Sequence, residues 1–316
     1  MEHYVTLFDS FFLPQGLALQ RSMERHAGDY TLWILCMDDK VHDVLFKLDL
    51  SNVRLLKLSQ LETAELLAIK SARTKGEYCW TLTPFAPRFV FDAAPDVLRV
   101  TYLDADMWFR QHPAQIFREF ERSGKQVLIT DHAYSPEHDQ SEFFGQYCVQ
   151  FMIFNRHEGE VVRKWWESKC IEWCYARSED GKFGDQKYLD DWPVRFDKFV
   201  HVLENKELLL APWNATRFPY GNAICWHFHS LRIVVRSPVK LFVEYGQYFL
   251  PKCTRDNVYK KYLDDLSVSI SWLVSMGVSL PSQKKLSYMH MLKLHIKSFV
   301  KRLYFVDASY GSTLRL

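Results

Sequence analysis

Val100-Thr101-Tyr102-Leu103-Asp104-Ala105-Asp106-Met107-Trp108-Phe109 is an apolar, strand-like run that ends in two carboxylates spaced by one residue. In an extended segment residues i and i+2 point the same way, so Asp104 and Asp106 can face one ion together. The carboxyl end of a strand is also where open α/β sheets bind ligands. Such oxygen ligands suit Mg2+ or Mn2+, which complete their shells with waters and substrate phosphates. The alternative is a solvated turn, because Asp is common at strand ends.

Composition describes an ordinary globular chain. Its 316 residues are 48% hydrophobic and 25% charged, and the net charge of +2 excludes the basic footprint of a general nucleic-acid binder. No apolar stretch approaches the roughly 20 residues that a membrane helix requires. The start, residues 1–8, lacks the basic region and cleavage signature of a secretion signal. We therefore expect a cytoplasmic protein with no nucleic-acid partner.

Cysteine usage supports a reducing compartment. The seven cysteines are odd in number and scattered, without the density of a disulfide scaffold. Cys170 and Cys174 lie at i and i+4 on a segment with helical character and could share a soft metal. With no second Cys or His pair nearby, packing is the better interpretation.

Strand-like and helix-like stretches alternate along the first half of the chain, which is typical of an α/β sheet with crossovers. The predicted strands are residues 3–8, 31–37, 53–58, the acid-bearing strand, 126–131 and 149–154. The predicted helices are residues 14–26, 41–48, 82–93 and 156–174.

Two further motifs follow. A glycine-bearing turn, residues 180–184, leads into a short predicted helix near Asp185, where an acid is often only a helix cap. Farther on, His227 and His229 would share one face of an extended stretch, with Arg232 close behind. A lone His is usually structural, whereas two beside aromatic residues and an Arg favour a functional site.

Taken together, Tyr102–Asp106, Asp185-Gln186 and His227–His229 resemble, in order and spacing, the GT-A nucleotide-sugar glycosyltransferases of the family 8 type. Residues 181–190 and 211–214 are similar to bacterial members that build surface polysaccharides such as lipopolysaccharide or capsule. The resemblance covers residues 1 to about 240. It implies an α/β, Rossmann-like mixed and mostly parallel sheet flanked by helices. We predict a catalytic domain over residues 1–250 and a helical C-terminal extension over residues 251–316.

The resemblance also implies a metal site. Asp104, Asp106 and His227, with His229 as the competing choice, would hold Mn2+ or Mg2+ against the diphosphate of a nucleotide-sugar donor, with a UDP-sugar the leading candidate. A divalent cation stabilises the charge that develops on the pyrophosphate leaving group.

The catalytic pair implied by the resemblance is Asp185 and Gln186, beside the anomeric carbon. In a retaining transfer, Gln186 would stabilise an oxocarbenium-like centre while the leaving phosphate helps to deprotonate the acceptor. Alternatively, Asp185 would attack and form an aspartyl-sugar intermediate. The sequence leaves both routes open.

Six further residues match donor-contacting positions of the family: Asp9, Arg88, Asp131, Cys148, Gln150 and Arg232. Asp9 would touch the base, Asp131 the sugar hydroxyls and Arg232 the phosphates. For Arg88 the alternative is a surface ion pair with Asp92 at i+4.

The chain departs from the family pattern at several positions. Where relatives carry Phe-Asn-x-Gly, residues 147–150 read Tyr-Cys-Val-Gln. We expect Gln150 to narrow or reshape the donor pocket, because glycine there would allow close backbone approach. After the histidines, Ser230 replaces a family Gly, and the Lys-Pro-Trp that follows in relatives is missing.

The tail, residues 282–305, places apolar residues at helical spacing beside a stripe of lysines. Such a basic amphipathic helix suits peripheral contact with the inner face of the cytoplasmic membrane, where a lipid-linked acceptor would lie. The alternative is packing of its apolar face on the catalytic domain.

The sequence therefore predicts a metal-dependent glycosyltransferase that acts on a nucleotide-sugar donor and a glycan or lipid-linked acceptor. Two rivals use the same pocket. One is a nucleotide-sugar hydrolase, which needs a base to activate water. The other is a catalytically silent sugar-binding GT-A module, which the Cys148 and Gln150 substitutions would permit.

Overall fold

The structure is a computed structural model, and it describes residues 1–237, 240–280 and 311–315. Its strands are β1 (Glu2–Phe8), β2 (Tyr30–Cys36), β3 (Val53–Lys57), β4 (Arg99–Leu103), β5 (Met107–Phe109), β6 (Val127–Asp131), β7 (Tyr147–Asn155), β8 (Val200–Val202), β9 (Leu209–Leu210), β10 (Cys225–His227), β11 (Arg232–Ser237), β12 (Lys240–Glu244) and β13 (Gly311–Arg315).

The α-helices are α1 (Leu13–His26), α2 (Asp39–Leu48), α3 (Ala64–Lys70), α4 (Lys75–Leu82), α5 (Phe85–Ala93), α6 (Ala114–Ser123), α7 (Ser141–Phe144), α8 (Glu160–Glu172), α9 (Trp192–Arg195), α10 (Lys252–Thr254) and α11 (Lys260–Ser275). Short 3-10 turns cover Leu58–Gln60, Pro136–His138, Lys187–Asp191 and Pro212–Asn214, and a π-helical turn covers Arg255–Tyr259.

A seven-stranded sheet in the order β3-β2-β1-β4-β7-β6-β8 forms the centre of the molecule. Strands β1 to β4 run parallel, β7 is antiparallel to both β4 and β6, and β8 is parallel to β6. The sheet is therefore mixed and mostly parallel, as the sequence predicted.

Apolar cores cover both faces of this sheet. In β1, Tyr4 and Phe8 join one cluster with residues of α1 and α6, whereas Val5 and Leu7 join the other with residues of α5 and α8. Successive strand residues point to opposite faces, so a strand buried on both faces is apolar throughout. This explains why Tyr4–Phe8 and Val100–Leu103 are apolar apart from the buried threonines Thr6 and Thr101.

The predicted strands and the first two helices are confirmed within one or two residues. The helix predicted over residues 82–93 corresponds to α5, which begins three residues later, at Phe85, because Leu82 instead ends α4. Pro84 directly precedes α5 and has no N–H with which to continue the hydrogen bonding of α4. The prediction also missed the start of α4, where Thr74 and Glu77 form a capping box.

A second, three-stranded sheet in the order β5-β10-β9 positions His227 next to Asp104 and Asp106. Strand β10 pairs antiparallel with β5, with His227 opposite Met107, and parallel with β9. The backbone N–H of Phe228 donates to the carbonyl of Asp106 at 2.9 Å. This pairing brings His227 beside the end of β4.

Helix α11 packs on α1 through a buried carboxylate. Asp265 accepts a hydrogen bond from Trp108 Nε1 at 2.7 Å and from Arg25 Nη1 at 3.1 Å. Arg21 Nε lies 3.5 Å from the same group. Residues 260–275 therefore share a core with the first helix, while the division at residue 250 stays a prediction.

The predicted basic helix over residues 282–305 lies outside the described residues. Among the residues that are described, we find no helix with the length and apolar character needed to cross a bilayer.

We expect Asp265→Ala to lower the free energy of unfolding by about 2–4 kcal/mol, because it leaves Arg25 and the Trp108 indole N–H without their buried acceptor. Urea unfolding measures the change, and Asp264→Ala is the matched control because its side chain is exposed. Equal unfolding free energies of the two variants would show that the contacts of Asp265 do not stabilise the packing of α11 on α1.

Candidate metal and ligand site

Three candidate metal ligands meet at the carboxyl end of β4. Asp104 directly follows β4, Asp106 directly precedes β5, and His227 ends β10. His227 Nε2 lies 3.1 Å from Asp106 Oδ1 and 3.7 Å from Asp104 Oδ2. One ligand atom from each side chain lies within 4.8 Å of the other two. Two carboxylate oxygens and one imidazole nitrogen at this spacing fit a divalent cation.

Burial and mutual charge set the protonation of the cluster. Burial raises the pKa of Asp104. Burial also opposes ionisation of Asp106, but the charge of His227 outweighs it and lowers the pKa of Asp106. Burial would likewise lower the pKa of His227, yet the Asp106 carboxylate raises it well above the ordinary value. A cation ligated by neutral His227 would displace this proton.

Neighbouring groups orient these ligands. Tyr102 Oη donates to Asp104 Oδ1 at 2.9 Å, and the Asp104 N–H donates to the carbonyl of Gln150 at 3.1 Å. His227 Nδ1 lies 2.9 Å from Gln150 Oε1. The Nε2 atom of His227 is thereby turned toward the two acids.

The cluster lies in the wall of a cavity of about 840 Å³. That volume falls in the usual range for a small-molecule or cofactor site. The predicted residues that line it are Asp9, Asp104, Asp106, Cys148, Asp185, Gln186, His227, His229 and Arg232. Predicted site residues that lie as far apart in the sequence as Asp9 and Arg232 therefore line one cavity.

Three predicted donor contacts lie elsewhere. Arg88 pairs with Asp92 at 3.4 Å and approaches Glu167 at 3.9 Å, which matches its alternative interpretation. Asp131 forms an ion pair with Lys206 at 2.7 Å. None of these side chains lines the cavity.

Gln150 is the third, and its position corrects the expectation that it narrows the donor pocket. The side chain is 1% exposed and turns toward His227, so it lies behind the cavity wall. Cys148, two residues earlier on the same face of β7, does line the cavity. Burial would raise its thiol pKa, but His132 and His227 bring that pKa down to about 7.

The structure distinguishes between the two histidines. His229 lines the cavity and packs edge-on against Trp213, with ring centroids 5.4 Å apart, but it does not belong to the three-residue cluster. Burial, together with the neighbouring charge of His227, lowers the pKa of His229 to about 4. The geometry therefore favours His227 as the ligand.

Asp185 is a buried acid in the cavity wall. Its side chain is almost fully covered, and its Oδ2 atom has no hydrogen-bond partner among the described residues. Burial raises its pKa to about 8, and the charge of Asp104 adds to the shift. The following 3-10 turn begins at Lys187 without a side-chain cap, so capping does not explain Asp185.

Aromatic residues that the sequence did not single out as ligands form another part of the wall. Trp213 Nε1 donates to the His132 carbonyl at 2.8 Å, and His132 stacks on Tyr134 with centroids 4.6 Å apart. Tyr248 also lines the cavity. The Pro212-Trp213 pair inside a recognised motif was the signal for Trp213, whereas nothing local in the sequence marked His132.

Comparison with individual known proteins places the chain in a family, although no model of a known protein family matches it. The uncharacterized protein YfnF of Bacillus subtilis (strain 168) is 30% identical over 267 residues, which cover 78% of this chain and 88% of YfnF. The chain belongs to the YfnF family. A second B. subtilis protein, uncharacterized YfnD, is 28% identical over 257 residues, covering 76% of this chain and 81% of YfnD.

A solved structure supports the fold assignment. The galactosyltransferase LgtC, determined in complex with donor and acceptor sugar analogues, superposes with a TM-score of 0.50 at 12% identity. The match covers 84% of this chain and 95% of LgtC. The fold of this YfnF-family chain is thus GT-A, in agreement with the mixed sheet described above.

Proposed function

We propose that this YfnF-family protein is a metal-dependent glycosyltransferase that moves a sugar from a nucleotide-sugar donor to a glycan or lipid-linked acceptor. The observation that carries the proposal is the Asp104–Asp106–His227 cluster in the wall of a cavity of about 840 Å³. It lies at the carboxyl end of a parallel strand, where α/β sheets bind ligands.

In this proposal Asp104, Asp106 and His227 hold Mn2+ or Mg2+. When bound, the ion supplies Lewis-acid stabilisation of the diphosphate leaving group. Arg232 is exposed, lines the cavity and would add a cationic contact to the phosphates. Asp9, at the end of β1, would contact the base.

Protonation of Asp185 bears on the chemical route. With a pKa of about 8, its carboxyl group is largely protonated at neutral pH. A neutral carboxylic acid donates a hydrogen bond well but is a poor nucleophile, which supports Asp185 as a contact to a sugar hydroxyl.

Gln186 would then stabilise the positive anomeric centre. Its Nε2 donates to the Phe144 carbonyl at 2.9 Å, so the remaining polar atom of the amide is its carbonyl oxygen. A fixed carbonyl dipole suits an oxocarbenium-like centre. This route keeps the anomeric configuration, which is the outcome that the family 8 resemblance implies.

The finer features of the proposal come from the resemblance in sequence. They are a UDP-sugar donor, a role in bacterial surface polysaccharide synthesis, and a cytoplasmic location with peripheral contact at the inner membrane face. Arg88 and Asp131, whose side chains pair with other residues in the structure, are left without a donor role in this scheme.

A donor screen tests the proposal directly. We expect one class among UDP-, GDP-, TDP- and CMP-sugars to raise the melting temperature by several degrees when Mn2+ is present, because a ligand that binds the native state stabilises it. The shift should vanish in Asp104→Ala/Asp106→Ala. The absence of a shift with every donor would contradict the proposal.

Product analysis separates transfer from hydrolysis. With the donor that binds, we expect sugar to appear on an added glycan acceptor and little free sugar to accumulate. Release of free sugar at the same rate with and without acceptor would instead identify a hydrolase, and binding without turnover would identify a sugar-binding module.

A further inference from the structure

Gln150 contacts two of the three candidate metal ligands from outside the cavity. Its main-chain carbonyl accepts the Asp104 N–H at 3.1 Å, and its side-chain Oε1 lies 2.9 Å from His227 Nδ1. The first contact continues the antiparallel pairing of β4 with β7, in which Leu103 lies opposite Phe151. One residue of β7 therefore touches the backbone that carries one ligand and the ring that supplies another.

The side-chain contact selects one form of the His227 ring. A histidine that ligates a metal through Nε2 must keep a lone pair there, so its remaining proton resides on Nδ1 and needs an acceptor. Gln150 Oε1 is such an acceptor. The carboxamide carries no charge, so it fixes the ring without adding to the two carboxylates nearby.

Burial indicates that this arrangement is specific. The Gln150 side chain is 1% exposed, and its Nε2 atom has no hydrogen-bond partner among the described residues. An unsatisfied buried amide nitrogen destabilises the folded chain, and an apolar side chain of similar size would remove that penalty. The amide thus serves no evident packing purpose at this position, whereas its oxygen has a defined contact.

We propose that Gln150 is a positioning residue, which orients the imidazole of His227 so that Nε2 joins Asp104 and Asp106 in binding a divalent cation. This inference rests on the proposed metal-dependent function. The residue acts only through His227 and touches neither the cavity nor a substrate.

The test is Mn2+ binding by the full chain, followed by the electron paramagnetic resonance signal of free Mn2+ during titration with no nucleotide or sugar present. We expect Gln150→Leu to weaken Mn2+ binding by about 10–100-fold, the usual consequence of losing a group that orients a metal-bound histidine. Gln150→Glu keeps an acceptor oxygen beside Nδ1, and we expect it to hold Mn2+ within about threefold of the unmodified protein.

Thermal unfolding of the metal-free variants distinguishes positioning from packing. Gln150→Leu removes the unpartnered amide nitrogen but also the acceptor of His227 Nδ1, so the two effects offset and its melting temperature should stay within a few degrees of that of the unmodified protein while its Mn2+ affinity falls. A merely structural role would lower stability and affinity together. Gln60→Leu is the matched control, because it makes the same substitution at an exposed position away from the cavity, and its Mn2+ affinity should stay within about threefold.

Each outcome has a definite meaning. If Gln150→Leu binds Mn2+ as tightly as the unmodified protein, or if the Leu and Glu variants lose affinity equally, the positioning role is wrong although the transferase proposal stands. If Mn2+ binds and the variants behave as expected but no sugar is transferred, the inference stands and the transferase proposal fails. If the unmodified protein binds no Mn2+, the inference is overturned.

Discussion

Asp106→Ala is expected to abolish sugar transfer, with a loss of at least about 10³-fold, while the chain remains folded. The substitution removes the carboxylate that lies 3.1 Å from His227 Nε2 and so takes one of three ligands from the metal cluster. Initial-rate assays with the donor identified by the thermal screen measure the loss, and circular dichroism checks the fold.

The fold should survive because His227 can respond to the loss. Burial lowers the pKa of His227, and Asp106 is the largest of the groups that raise it, ahead of Cys148 and Asp104; without the Asp106 carboxylate the pKa falls, and the buried ring can lose its proton instead of remaining an unpaired charge. Asp43→Ala is the matched control, since Asp43 is an exposed acid of α2 and should leave the rate unchanged. Full activity in metal-free buffer would refute the metal-dependent scheme.

Asp185→Asn is expected to raise stability and lower activity together. The folded-state pKa of Asp185 is about 8, above the ordinary value of 3.8. A group with a raised pKa contributes stability that is fully present below pH 4 and is lost as pH rises toward 8. Asparagine does not ionise, so the free energy of unfolding of the variant should rise relative to that of the unmodified protein across that window, by an amount on the order of 5 kcal/mol between pH 4 and pH 8.

Urea unfolding at pH 5, 6.5 and 8 measures this difference. Asp180→Asn is the control, because Asp180 is exposed and asparagine tolerates its positive φ of 50°, so its difference from the unmodified protein should not change with pH. If the difference in unfolding free energy between Asp185→Asn and the unmodified protein does not change with pH, the Asp185 carboxyl group of the unmodified protein ionises freely in the folded chain.

The activity of Asp185→Asn gives the second half of the prediction. We expect transfer to fall by about 10-fold, because the amide keeps an N–H donor and an acceptor oxygen but its N–H is a weaker donor to a sugar hydroxyl than the O–H of a carboxylic acid. A residue that lowers stability but raises activity is retained for its function. Wild-type rates in a stabilised variant would assign Asp185 to the structure alone.

Much of the site could be derived from local patterns. The alternation along Val100–Phe109 was enough to place Asp104 and Asp106 on one side of an extended chain, and the strand-like stretches 3–8, 31–37 and 53–58 were enough to predict β1, β2 and β3. These features depend on backbone periodicity, which acts between neighbouring residues. The order of motifs then led to the GT-A fold.

The partners of individual side chains could not be derived this way. The sequence allowed either His227 or His229 as the ligand, and only the pairing of β10 with β5 brings His227 to Asp106. Arg88 pairs with Asp92 and Glu167, outside the cavity, although its position along the chain suggested a donor contact.

Gln150 and Asp185 show most clearly the difference between what local sequence patterns predict and what only tertiary contacts determine. The sequence placed Gln150 on a predicted strand and among the donor-contacting positions, but its contact with His227 arises from residues far apart in the chain. The raised pKa of Asp185 likewise comes from burial beneath several elements and from the charge of Asp104. Strand positions and ligand types follow from short-range geometry, whereas hydrogen-bond partners and protonation follow from packing and desolvation, which exist only in the folded chain.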